Sequence, residues 1–134
     1  MSAPVPVLLL THPGFGEGLL EAAKVITDDI SGIDVLTNHQ LSPDELEQKL
    51  DTWFDQHEGD VLVLTDLTFG SCCQSARRVS RGRQNVGIVS GINLPMLLAV
   101  VQSHSQSSLA ELLDHLATRG RGSVETFLGG ASGE

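Results

Sequence analysis

The chain has 134 residues, 40% of them hydrophobic and only 4% aromatic, with a formal net charge of −9. That length suits one domain with a core built mainly of Leu, Val, Ile and Ala. The charge excludes the basic face that non-specific binding to nucleic acid or to an anionic membrane needs. No stretch approaches the roughly 20 apolar residues of a membrane span. The N-terminus has no basic segment ahead of its short apolar run, so no signal peptide is expected. The two cysteines, Cys72 and Cys73, are neighbours, which makes a poor structural staple, and the expected setting is reducing and cytoplasmic.

Strands and helices alternate along the chain. The apolar run Val5–Leu10 reads as a strand buried on both faces, of the kind found inside parallel sheets. It ends in Thr11-His12-Pro13-Gly14. A helix is expected from about Gly16 to Asp28, with Leu19, Leu20, Ala22, Ala23 and Ile26 as its buried stripe. Ile33–Thr37 is a short second strand. Ser42 and Glu45 form a capping-box pair with Pro43 at the first helical position, and Leu46, Leu50, Trp53 and Phe54 follow at helical spacing up to a stop at Gly59. Asp60–Thr65 is the clearest strand. The loop Asp66–Gly70 leads into a helix over Ser71–Ser80.

Val86–Val89 is a fourth strand, followed by the turn Ser90-Gly91-Ile92-Asn93. Pro95 opens a helix from Met96 to about His104. A second capping box, Ser108 and Glu111, starts a last helix that carries Leu109, Leu112, Leu113 and Leu116 and stops at Gly120. Ser123–Leu128 alternates like a closing strand, and residues 129–134 read as a disordered tail. The expected fold is a single doubly wound α/β domain over residues 1–134, its parallel strands in the order 2-1-3-4. In that order the chain reverses direction between strands one and three. Ligands of such sheets bind beyond the carboxyl ends of the strands at that reversal.

His12 and Asp66 both emerge there. A carboxylate bonded to one ring nitrogen fixes the imidazole tautomer and leaves the other lone pair free, as a nucleophile or a base. Asp66 can equally cap its loop while His12 lines a cleft, and position alone does not choose. Gly14, Gly16 and Gly18 at one helix start and Gly70-Ser71 at another offer unpaired N–H groups to an anion.

Other motifs compete. Gly14-Phe15-Gly16-Glu17-Gly18 is an imperfect dinucleotide fingerprint, and Thr37-Asn38-His39 stands where an acidic residue should follow the second strand. Cys72 to Arg78 has the C-x5-R spacing of a thiol phosphatase, but the intervening residues read as helix. His39, His57, His104 and His115 are scattered and form no metal-ligand set. Arg77, Arg78, Arg81 and Arg83 read as a solvated helix face.

Thr11-His12 after an apolar strand, Leu64-Thr65-Asp66 followed by Gly70-Ser71, and Gly91-Ile92-Asn93-Leu94-Pro95-Met96-Leu97 occur in order. Together they resemble the mannose-family IIA domain of the bacterial phosphoenolpyruvate-dependent sugar phosphotransferase system, over about Val5 to Leu128. The resemblance implies a phosphocarrier without a cofactor. His12 would accept a phosphoryl group from the phosphocarrier protein HPr and pass it to a IIB partner, and Asp66 would orient the ring. Ser71 would lie near the phosphate, beside the N–H groups near Gly14 and Gly70 already read as an anion site. It also implies a homodimer in which the segment Ser123–Leu128 is exchanged as an antiparallel strand. Three departures stand out: Pro13 where the family has glycine, a single glycine in Thr68-Phe69-Gly70, and Cys72-Cys73-Gln74 in place of residues that include Pro and Asn. A stand-alone regulatory module, read by a partner through the state of His12, is the alternative in another functional class.

Overall fold

The computed structural model describes residues 5–28, 30–103 and 108–130. Four strands, β1 (Val7–Thr11), β2 (Ile33–Thr37), β3 (Val61–Thr65) and β4 (Val86–Ser90), form one parallel sheet in the order β2-β1-β3-β4. The central strands β1 and β3 are buried at every position, which is why their sequences are apolar without alternation. The edge strands β2 and β4 are only partly buried and carry polar residues such as Asp34 and Ser90 beside their apolar ones.

Alternation along the strands sends successive side chains to opposite faces, and each face carries its own core. On one face Val7, Leu9, Leu62 and Leu64 pack with helices α1 (Phe15–Ile26), α4 (Leu94–Ser103) and α5 (Leu109–Gly122), through residues such as Ala23, Leu97, Val100, Leu112 and Leu116. On the other, Leu8, Leu10, Val61 and Val63 pack with α2 (Pro43–Asp55) and α3 (Ser71–Val79), through Leu46, Leu50, Trp53, Phe54, Cys72 and Ala76. Each fully buried Leu or Val contributes about 1.5–3 kcal/mol. Both capping boxes form: the Glu45 N–H donates to Ser42 Oγ at 3.1 Å and the Glu111 N–H to Ser108 Oγ at 3.3 Å.

The structure corrects three boundaries. First, α5 does not stop at Gly120 but runs to Gly122. Gly120 is buried within it, and a Cβ there would lie 2.6 Å from Met96 Cε, so this glycine serves the close approach of α5 to α4. Second, Ser123–Leu128 is not a strand within the single chain. Val124, Phe127 and Leu128 lie exposed. Third, the first helix begins one residue early, at Phe15, and ends at Ile26. The His104 end expected for α4 and residues 131–134 of the tail lie outside the described residues. No helix among those described is long and apolar enough to cross a membrane.

Candidate active site

His12 is the first residue after β1, and Asp66 the first after β3. The two strands are hydrogen-bonded neighbours in parallel register, with Leu10 opposite Thr65, so their loops leave the sheet side by side at its carboxyl end. The turn after His12 is built by Thr11. Its buried hydroxyl donates to the His12 carbonyl at 2.9 Å and accepts the Gly16 N–H at 2.9 Å. Gly16 has no room for a side chain, since a Cβ would sit 2.8 Å from Thr11 Oγ1 and 3.2 Å from Val35 Cγ1. Gly14 turns the chain with φ of +87°, a conformation glycine adopts without steric cost.

Asp66 Oδ2 accepts two hydrogen bonds from one residue: the His12 backbone N–H and the ring Nδ1–H, both at 2.9 Å. Its other oxygen accepts the Leu67 N–H at 3.0 Å. The Asp66 side chain is 11% exposed and that of His12 42%. Burial pushes the Asp66 carboxyl up, but the His12 backbone and ring hydrogen bonds and the His12 charge outweigh it, and the net shift is below the ordinary carboxyl value. An ionised, acceptor-only carboxylate requires the proton on Nδ1. The lone pair therefore sits on Nε2, on the accessible ring.

Beside the ring lies the start of α3. A Cβ on Gly70 would stand 3.3 Å from His12 Cε1. Gly70 is the N-cap of α3 and offers no side-chain cap, so the first-turn N–H groups at Ser71, Cys72 and Cys73 form the helix's positive end next to the imidazole. Ser71 Oγ accepts the Asn38 amide at 3.1 Å, which ties the loop after β2 to the same spot.

The glycine readings divide. Gly70 lies at the ring, with its N–H donated to the Leu67 carbonyl at 3.2 Å, and Ser71 follows it as the first residue of α3. The Gly14 N–H donates to Glu17 Oε1 at 2.9 Å, so that donor is already engaged. Gly16 serves packing, and Gly18 N–H closes the first turn of α1 on Gly14 O. The turn Ser90–Asn93 divides too. Ser90 Oγ bonds Thr68 Oγ1. Asn93 instead caps α4 through the Met96 N–H and reaches the Gly120 carbonyl of α5.

The thiol-phosphatase reading is overturned. Cys72 is fully buried among the α2/α3 core residues. Burial, then the Asp66 charge and Cys73, push its thiol up to about 11, so it is protonated at neutral pH. Arg78 is a full α3 away and donates to Glu47 at 2.9 Å, so no phosphate loop joins the two. Arg83 likewise bonds Asp51 and Asp55, and the arginine cluster thus partly staples α2 rather than standing solvated. One metal-ligating trio occurs among the described residues: His12, Asp66 and Cys72, each with one ligand atom within 4.8 Å of the others. Its donors are committed, since Asp66 Oδ2 holds the ring and the thiol is buried and protonated.

Asn38 was not legible as a site residue, although its place just past a strand end was a usable signal. The loop Asp66–Gly70 was legible as a loop, but which of its side chains would stay uncovered was not, and Leu67 and Phe69 are exposed.

The family described as PTS system fructose IIA component, EIIA-man, matches residues 6–117. Three similar solved structures share the fold. The phosphotransferase system component EIIA from Streptococcus agalactiae has a TM-score of 0.84 at 21% identity, covering 91% of this chain and 96% of that one. The mannose/sorbose-specific IIA subunit from Enterococcus faecalis gives 0.80 at 23%, with 93% and 96% covered. The PTS IIA protein associated with the fucose utilization operon from Streptococcus pneumoniae gives 0.75 at 24%, with 94% and 96% covered. No curated protein matches the chain. The matched span takes in β1 through α4, the greater part of α5 and both loops that bring His12 and Asp66 together, and on it this chain belongs to the EIIA-man family and is a IIA component of the sugar phosphotransferase system.

Proposed function

We propose that this IIA component is a phosphocarrier that accepts a phosphoryl group on Nε2 of His12 from phosphorylated HPr and passes it to a IIB partner. The observation that carries the proposal is the single carboxylate oxygen of Asp66 held 2.9 Å from Nδ1, beneath a ring left 42% exposed. The Nε2 lone pair attacks phosphorus in line. The nitrogen–phosphorus bond of the donor breaks, and its electron pair returns to the donor imidazole. The accepting ring gains positive character, which the adjacent Asp66 carboxylate offsets. Charge on the equatorial oxygens is met by the first-turn N–H groups of α3 from Ser71 onward, with the Ser71 hydroxyl oriented by Asn38, while the Gly70 N–H is held by the Leu67 carbonyl. Gly14 contributes its turn, and its N–H becomes a further donor only when Glu17 releases it.

Incubation with phosphoenolpyruvate, enzyme I and HPr is expected to place an acid-labile phosphate on the wild-type chain and none on His12→Ala. Equal labelling of His12→Ala would remove the assignment. The exposed Val124, Phe127 and Leu128 support the further expectation of a homodimer formed by exchange of the segment 123–128. Sedimentation of a chain ending at residue 122 is expected to show monomer where the full chain shows dimer.

A further inference from the structure

The chain has four phenylalanines, and two of them are exposed beside the site: Phe15, 42% exposed, three residues after His12, and Phe69, 92% exposed, three residues after Asp66. Leu67, next to Asp66, is 58% exposed. Large apolar side chains scattered singly on a surface are ordinary, but a cluster is not. Leu67 and Phe69 sit on the loop that carries Asp66, and Phe15 opens α1 directly after the turn that carries His12. The Thr68-Phe69 pair is also where the chain departs from the two-glycine loop of the family it resembles.

We propose that Phe69, with Leu67 and Phe15, forms an apolar collar around His12 that docks one occupant: the basic protein that carries the phosphoryl group to it. The inference rests on the phosphocarrier reading and adds its partner-recognition residues. In-line transfer needs the donor phosphorus about 3–3.5 Å from Nε2, so the donor surface must press on whatever rims the ring. Three exposed apolar side chains there gain by being covered. Covering them also excludes water from a phosphoramidate bond that water hydrolyses. A chain of net charge −9 selects a partner of opposite charge, and charge steers the encounter while the aromatic anchors hold it.

The test uses two donors on the full chain. Phosphoramidate has no surface to dock: Nε2 forms the new nitrogen–phosphorus bond, the old one breaks, and ammonia leaves. HPr charged by enzyme I and phosphoenolpyruvate is the docking donor. For Phe69→Ala, labelling by phosphoramidate is expected to equal wild type. The KM for phosphorylated HPr is expected to rise roughly tenfold with little change in kcat, as truncation of an interface anchor does. Phe69→Leu should restore part of it. Because Phe69 is almost fully exposed, the thermal midpoint should not move.

An unchanged KM for HPr in both Phe69→Ala and the Leu67→Ala/Phe69→Ala pair, with phosphoramidate labelling intact, overturns the collar and leaves the phosphocarrier reading standing. Failure of both donors to label wild type overturns that reading and the collar with it. If instead Phe69→Ala dissociates the chain in sedimentation without altering KM, the collar's occupant is a second copy, and the donor assignment is wrong.

Discussion

Replacing Asp66 with Asn removes a charge while keeping the shape of the side chain, and the structure says what should follow. The carboxylate accepts three hydrogen bonds, two at Oδ2 from His12 and one at Oδ1 from the Leu67 N–H. A carboxamide has one accepting oxygen. With that oxygen toward His12, the tautomer survives, but two charge-assisted bonds become neutral ones and the amide NH2 faces the Leu67 N–H. With the amide flipped, Nδ1 becomes an acceptor, the proton moves to Nε2, and the nucleophilic lone pair is lost. The favoured orientation keeps the oxygen toward His12.

A hydrogen bond to a charged group is worth about 1.5–3 kcal/mol against about 0.5–1.5 for a neutral one, so about 1–2 kcal/mol is lost where the ring gains charge. That corresponds to a labelling rate from phosphoramidate lower by about 5- to 30-fold. Asp66→Ala, which also frees the tautomer, should fall further. Ring nitrogen-15 NMR should show the Nδ1–H tautomer in wild type and a mixture in Asp66→Ala. An Asp66→Asn rate within twofold of wild type would refute the reasoning.

The same carboxylate sets an acid limb. Its pKa is lowered on folding, so the stabilisation is complete above the unfolded value near 3.8 and is lost as pH falls through the lower folded value. Urea unfolding between pH 5 and the acid limit, conditions chosen to span that window, should show a shallower decline for Asp66→Asn than for wild type.

Four further outcomes are expected. Thr11→Val removes a buried hydroxyl that serves two backbone partners and strands the Gly16 N–H, at a cost of about 2–3 kcal/mol in chemical denaturation; a loss under 0.5 kcal/mol would count against the turn being built by Thr11. Gly16→Ala should destabilise by about 1–3 kcal/mol, because its Cβ would meet Thr11 and Val35 in a packed interior. Gly120→Ala should cost less than Gly16→Ala, since its one close contact is the flexible end of Met96, which can shift, and the change favours the helix by up to about 1 kcal/mol; reversal of that order would overturn this account of the two contacts. Finally, a thiol reagent at neutral pH should leave Cys72 and Cys73 unmodified in the folded chain and modify both in denaturant, as read by mass spectrometry, because both are buried and the Cys72 thiol is raised to about 11. Fast modification of the native chain would reopen a thiol role.

The site was legible in part, for physical reasons that differ between its members. His12 and Asp66 could be placed because each directly follows a continuous apolar strand, and the end of a buried parallel strand is recognisable from the strand itself. Asn38 could not, because its bond to Ser71 Oγ depends on how the loop after β2 meets the start of α3, which no strand pattern announces. The glycines misled in a specific way. Sequence marks a glycine but not its reason, and Gly14 turns the chain, Gly16 is crowded, Gly70 abuts the ring and Gly120 admits a neighbouring helix. Cys72 looked like the start of a phosphatase spacing until α3 placed it in the core and Arg78 against α2.

The alternation of strand and helix, the two capping boxes and the order of the sheet were determined by local chemistry: periodicity, caps and the handedness of crossovers act within a few residues or a single unit. Only the packed structure decided which oxygen of Asp66 holds which nitrogen of His12, and which apolar residues remain uncovered. Those outcomes depend on distances between segments more than fifty residues apart and on the surface left after the core has closed, and neither quantity is carried by neighbouring residues along the chain.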